Sequence, residues 1–344
     1  MFATLLGGLP RPPLPKPASA RSAVPLRTDE LVARAVEAQD VAGLEPVTDG
    51  RLRWRGFAGP IATLDGLRRI GRGATVTAES LPVWRRPHTV EAWRFASRAT
   101  GRLVKQALPG PYTLARRVER GPGAGRTAGA GDGGDRAALT MAFATALRAE
   151  VLALAEAGCA LVEIEERDAG RIGANERERW IFREAHLALT DGIDLVHLSL
   201  ALVGGSADEA GIETILAAPY RSLAVDLIDG PNNWQLVRDV PGDRGIVAGA
   251  LSPRNPSDDG PELLLWAAAY AASSNGRGLD RVGIATAGSL ADLPWDIAER
   301  KLVRLGDAAR LASLPADSAL GGLDPRAIDI RSAAMGRSAP PRRR

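Results

Sequence analysis

Cysteine is almost missing from this 344-residue chain, with Cys159 the single example. A disulfide within the chain needs two cysteines and a multi-cysteine metal centre needs more, so zinc fingers, iron–sulfur ligation and disulfide scaffolds are excluded. Lysine is nearly as scarce, occurring only at Lys16, Lys105 and Lys301. Aromatic residues make up 4% of the chain. That is too sparse for a platform on which bases stack, although Trp54, Trp84 or Trp93 could wall a pocket. No apolar run approaches the roughly 20 residues needed to cross a bilayer. The stretch from Met1 to Pro17 is proline-rich and lacks the charged-then-apolar layout of a secretion signal. These absences describe a soluble, cytoplasmic protein with no membrane partner.

The sequence pI near 9.4 invites a nucleic-acid reading that the charge arithmetic removes. The formal net charge is +3, and Arg342-Arg343-Arg344 alone supplies that excess, leaving the rest near neutral. Basic pairs such as Arg85-Arg86 and Arg116-Arg117 are separated along the chain and carry no interleaved aromatics. A phosphate-tracking surface is therefore not expected. Hydrophobic residues at 45% and charged residues at 25% are those of an ordinary globular protein.

Short apolar segments of strand length recur with helix-like stretches between them. They run 3–8, 44–49, 103–108, 160–165, 195–200, 223–227, 245–251 and 281–285. Helices are predicted from Thr28, as N-cap, to Ala42 with Gly43 as the stop, and over Ala137–Ala157, Glu262–Ser273 and Trp295–Leu311. Alternating strands and helices predict a parallel sheet, and eight such units predict a closed (β/α)8 TIM barrel in the α/β class. An open doubly wound sheet is the alternative. A single barrel domain is expected over 1–320, with a tail at 321–344. Gly121–Asp135 reads as a flexible Gly/Ala loop; it lacks the lysine and spacing of a phosphate-binding loop.

In such a barrel, ligands sit at the C-terminal ends of the strands. The polar residues expected there include Asp49 and Arg51, Tyr112 and Thr113, Glu163, Glu165 and Glu166, His197 and Ser199, and Asp226. His197 shares a strand face with Ser199, and Asp226 on the next strand could lie beside it. The pair would serve as a general base or as two ligands of a weak metal site, or His197 could be a hydrogen-bonded core residue. Two neighbouring carboxylates at Glu163 and Glu165 could work as acid and base, or Glu165 or Glu166 could simply pair with Arg167 or another arginine. Cys159 is expected in the core.

Taken in order, several segments resemble the catalytic barrel of the cobalamin-independent methionine synthase family. They are Gly7-Gly8-Leu9-Pro10-Arg11, Thr48-Asp49-Gly50, Leu108-Pro109-Gly110-Pro111-Tyr112-Thr113-Leu114, Val162-Glu163-Ile164-Glu165-Glu166, His197-Leu198-Ser199 and the late Leu293-Pro294. The likeness spans roughly residues 5–311 and implies the same barrel fold. Family members transfer a methyl group from a folate to a thiol held on zinc by a His-x-Cys pair, a glutamate and a late cysteine. By that resemblance the ligand positions fall at His197, Ser199, Asp226 and Gly288. Both thiolates are then missing, so zinc is not expected, while folate stays possible. The family's serine after strand one falls at Gly8, and a glutamate falls at Arg51, which would favour an anionic group. The resemblance thus implies a diverged, methyltransferase-like barrel. It would act on a small, anionic metabolite by metal-independent acid–base or group-transfer chemistry, using His197, Asp226 and Glu165 for catalysis. Asp49, Arg51, Tyr112, Thr113, Glu166 and Ser199 would bind substrate. A zinc- and folate-dependent thiol methyltransferase and a non-catalytic binding barrel are the alternatives.

Overall fold

Val, Ile, Leu and Ala dominate the short segments that become the central strands, because both faces of each are covered. A computed structural model describes residues 1–14, 24–71, 74–121, 132–256 and 260–314. Seven parallel strands form one sheet. They are β1 (Phe2–Thr4), β4 (Gln106–Pro109), β6 (Leu161–Glu166), β7 (His197–Leu202), β8 (Ser222–Asp226), β9 (Gly245–Leu251) and β10 (Val282–Thr286). Their spatial order is β1-β10-β9-β8-β7-β6-β4.

The sheet curls until β1 and β4 face each other, and the predicted second strand fills the gap. It is reduced to one parallel bridge between Val47 and Val104. Glu45 donates its amide to Ala3 O at 2.9 Å, Val47 to Leu103 O at 2.9 Å, and Lys105 to Val47 O at 3.0 Å. Pro46 interrupts the run because it has no N–H to donate. The result is the expected (β/α)8 barrel with one abbreviated strand.

Helices α1 (Val24–Val41), α2 (Val90–Arg98), α3 (Pro111–Arg117), α4 (Asp132–Glu156), α5 (Glu176–Thr190), α6 (Ile212–Ile215), α7 (Trp234–Asp239), α8 (Pro261–Ser273) and α9 (Trp295–Ala312) surround it. Thr28 lies inside α1, four residues past its start, and so does not cap it; Pro25 near the helix start is no obstacle to that turn. Gly43, with φ 78°, ends the helix as expected, a left-handed turn that glycine adopts without strain. The end of the predicted Gly/Ala loop, 132–135, belongs to α4, while 122–131 and the tail lie outside the described residues.

Sequence reading did not anticipate a small second sheet, ordered β2-β3-β5, from β2 (Asp65–Arg69), β3 (Val76–Val83) and β5 (Glu119–Arg120). Nor did it anticipate α5, although Asn175 caps that helix by accepting from the Arg177 and Glu178 amides at 3.0 and 3.2 Å. The segment Asp135–Glu156 of α4 is long and apolar enough to cross a membrane by length and composition alone. Here α4 packs on α3, α5 and β3. Its buried Glu150 accepts from the Thr89 amide and hydroxyl, both at 2.7 Å, and from Trp84 Nε1 at 2.7 Å.

Two apolar clusters hold the fold. The larger lies between strands and helices and includes Cys159. The smaller, Leu6, Ala201, Val203, Ala224, Val247 and Ala285, fills the inside of the barrel. Three of its six residues are alanine, where barrels usually place bulkier Val, Ile or Leu.

Candidate functional site at the C-terminal end of the barrel

The loop after the abbreviated strand is built by its own side chains. Gln39 of α1 clamps Thr48, donating to its carbonyl at 2.8 Å and accepting from its amide at 3.0 Å. Asp49 Oδ1 then accepts from the Arg51 amide at 2.8 Å, an Asx turn that holds Arg51 at φ 56°. This geometry folds the Arg51 side chain inward over Trp54, with the guanidinium 4.4 Å from the ring centroid. There it forms an ion pair with Glu165. Burial pulls the Arg51 guanidinium down to about 10, offset by the nearby Glu163 carboxylate. Burial likewise pushes Asp49 above the usual carboxylate value.

Two more arginines reach the same wall. Arg167 lies 3.7 Å from Glu165 and over the Phe57 ring at 5.9 Å. Arg117 also faces Phe57, at 5.6 Å, while gripping Asp168 with two bonds of 3.0 and 2.8 Å. Three guanidiniums from three separate elements thus surround the Trp54–Phe57 corner at the mouth. Glu165 is paired with arginine, the structural alternative left open by the sequence.

Asp226 ends β8 on its inward face, in register with Gly249. Its Oδ1 accepts from the amides of Ile228 and Asp229 at 2.9 and 2.8 Å, and its Oδ2 from Gly204 at 3.1 Å. Burial raises its pKa, and backbone amides, those of Ile228 and Gly204 among them, oppose the rise. The carboxyl therefore fixes the loops after β7 and β8.

Glu166, one residue on from Glu165, points out of the barrel. It accepts from the amides of Tyr112 and Thr113 at 2.9 and 2.8 Å, from the Thr113 hydroxyl, and lies 3.1 Å from His186 Nε2. Tyr112 gives its hydroxyl to Glu178 at 2.6 Å. Tyr112, Thr113 and Glu166, read from sequence as substrate contacts, are thus turned outward and engaged in anchoring α3 to the strand beneath it.

The largest departure concerns His197. It is the first residue of β7 and pairs with Leu161, the first of β6, so it sits at the N-terminal end of the barrel. Ser199 pairs with Ser222. From His197 to Ser199 is two residues and from Ser222 to Asp226 is four. Six strand positions, about 20 Å at 3.3 Å per residue, separate His197 from Asp226, and they form no acid–base pair. His197 Nε2 instead lies 2.8 Å from Ser222 Oγ. Burial, and Arg221 nearby, hold its pKa below the usual value.

The same offset decides the metal question. His197 and Ser199 stand at one end of the barrel, Asp226 and Gly288 at the other. At the C-terminal end of β7 the inward residues are Ala201 and Val203, which carry no ligand atoms. Among the described residues no group of three or more His, Cys, Asp or Glu side chains is placed to hold a metal. These residues do not fit a zinc ion. Sequence reading also missed His186, a buried residue bridging Glu166 and Tyr220; its spacing on the apolar face of α5 was the available signal. Lys105, whose Nζ lies 2.7 Å from Glu163 in the barrel interior, was noted only as a rare lysine.

No protein-family model matches the chain, and no curated protein sequence does. Solved structures do. A B12-independent methionine synthase from Shewanella sp. W3-18-1, in complex with selenomethionine, superposes with a TM-score of 0.73 at 16% identity, over 90% of this chain and 96% of that one. The fold is that of a B12-independent methionine synthase barrel. A Listeria monocytogenes protein assigned as a vitamin-B12-independent methionine synthase matches with a TM-score of 0.69 at 17% identity, over 90% and 97% of the two chains. A methyltransferase from Methanosarcina mazei gives 0.56 at 16% identity, over 82% and 86%. At these identities the likeness is one of fold.

Proposed function

We propose that this protein is a diverged methionine-synthase-like barrel that takes a small anionic metabolite at its C-terminal mouth. It would act there by metal-independent proton or group transfer in the cytoplasm. The observation that carries the reading is the convergence of Arg51, Arg117 and Arg167 on the Trp54–Phe57 corner. Guanidiniums stacked on aromatic faces keep their N–H edges free for an anion. Of the three, Arg167 is the most available, since its contact with Glu165 is long. Asp226 is the group suited to carry a proton, because burial favours its neutral form. His197 has no part in this chemistry from the opposite end of the barrel.

One observation favours a second reading, a barrel that binds without catalysis. Glu165 is already neutralised by arginine, and Asp226 already accepts three backbone amides. Thermal unfolding against a panel of small mono-, di- and tricarboxylates and phosphate separates these ideas. A ligand at a hundred times its dissociation constant stabilises by about 2.7 kcal/mol. The expected result is stabilisation by one class of anion, lost in Arg167→Gln. If no anion stabilises the wild type, the anionic-substrate reading fails. If Asp226→Asn binds the anion as tightly and no turnover of it is found in either protein, the non-catalytic reading stands. A zinc thiol methyltransferase would require about one zinc per chain by elemental analysis.

A further inference from the structure

The N-terminal end of the barrel contains a cleft of about 840 Å³ that the C-terminal chemistry does not use. Its floor lies among the inward side chains of β6 and β7 and Lys105, the residue just before β4. Lys105 and Glu163, both almost wholly buried, pair there at 2.7 Å. Beside them stands Ser199, 3% exposed, whose hydroxyl has no hydrogen-bond partner. The walls are apolar, from Phe2, Leu161, Ile246 and Val247. The lining also carries charges of both signs, Arg221, Arg244 and Arg281 with Glu45, Asp243 and Asp280. The three arginines donate to the carbonyls of Asp194, Leu216, Ala218 and Gly242, so their charges are not spent on carboxylates.

This combination is unusual for the stable end of a barrel, which is ordinarily filled by bulky side chains. The space exists because inward positions here are small or polar: Thr4, Ser199, Ser222 and Gly245. A buried hydroxyl without a partner carries a desolvation cost that a bound polar group would remove. Lys105 has three N–H donors and gives one to Glu163, so the floor presents donors and an acceptor together.

From this we infer that the cleft is a binding site for a neutral small molecule with an amide- or lactam-type head on an apolar, ring-sized body. A charged head is selected against. A carboxylate would face Glu163 and an ammonium would face Lys105, and either would break the mutual compensation of a buried pair. An amide accepts from Lys105 and Ser199 and donates to Glu163, leaving that pair intact. Its ring lies against Phe2, Leu161 and Val247. The mixed lining admits such a molecule without attracting an ion of either sign.

The test uses 2-naphthamide, 2-naphthoate and 2-naphthylmethylammonium as probes, followed by saturation-transfer NMR on the full chain. 2-Naphthamide is expected to bind and the two ions to bind at least ten-fold more weakly. Ser199→Ala should weaken 2-naphthamide about five-fold, the worth of one neutral hydrogen bond. It should fold normally, since the hydroxyl it removes bonds to nothing. Val247→Phe, which fills the cleft, should abolish binding, with thermal melting confirming that it folds. Arg167→Gln, at the other end of the barrel, should leave it unchanged, so this inference and the anion site stand or fall separately. No transfer to 2-naphthamide, equal binding of 2-naphthoate, or binding indifferent to both cleft variants overturns the inference.

Discussion

The two ends of this barrel handle buried charge in opposite ways. At the C-terminal end each inward carboxylate is answered on the spot, Glu165 by Arg51 and Asp226 by three backbone amides. Loops supply those partners, and they close over them. At the N-terminal end a single pair, Lys105–Glu163, is shared between β6 and the residue just before β4, with open space and an unpartnered hydroxyl beside it. Loops can bend backbone amides toward a charge, whereas strand backbone is committed to its ladder. Charge inside the strand region must therefore be balanced by another side chain.

The comparison breaks most sharply at Lys105. Lys105→Met removes the hydrogen-bonded partner of buried Glu163, leaving only the more distant Arg51 charge, and should cost about 3–5 kcal/mol in urea unfolding. Replacing Lys105 and Glu163 together by apolar residues should cost much less. If the single variant is neutral, the pair is not the electrostatic floor described above. Next, Glu166→Gln places an amide donor against amides that already donate, and should cost about 2 kcal/mol. Its far-UV spectrum should be unchanged if α3 stays anchored.

Crowding at the C-terminal end gives a smaller contrast. A Cβ at Gly8 would lie 3.2 Å from Gly50 O and 3.4 Å from the Arg51 side chain. At Gly288 a Cβ meets only Pro253, at 3.8 Å. Gly8→Ser should therefore cost about 1–2 kcal/mol, and Gly288→Ser should stay within about 0.5 kcal/mol. Equal melting temperatures for the two variants would show that Arg51 does not crowd the position where the family resemblance places a serine.

The smallest effect is in the pH profile, and the ends differ in sign. Burial lowers the native pKa of His197 below 6.5, and that of His88 likewise. On acidification through 6.5 the unfolded chain takes up protons first, so stability falls until the native values are reached. Asp49 and Asp226 are raised above 3.8. Between their native values and 3.8 the folded protein binds protons first, and stability recovers. His197→Gln should flatten the first phase, and Asp226→Asn should diminish the second. Chemical denaturation at stepped pH reads both.

Much of the fold was legible because strand and helix periodicities are local. Seven of the eight predicted strands form, and Gly43 stops α1 where expected. The second strand shrank because Pro46 cannot complete its ladder. The small sheet was hidden because β2 is largely charged, with Asp65, Arg68 and Arg69, β5 is only two residues long, and β3 carries Pro82 and three successive exposed residues that break the alternation. The site was less legible. The residues Asp49, Arg51, Glu165 and Asp226 do share the C-terminal end, but Tyr112, Thr113 and Glu166 face outward and His197 faces the other mouth. Alternation reports which residues share a face and says nothing about height along the strand.

By itself the sequence determined a parallel α/β barrel, its single cysteine and its small number of histidines, three in all. These follow from composition and local pattern, which need no partner across the fold. Only the tertiary structure decided which charges meet and at which end. That depends on strand register, and register is set by how eight segments pack around one axis.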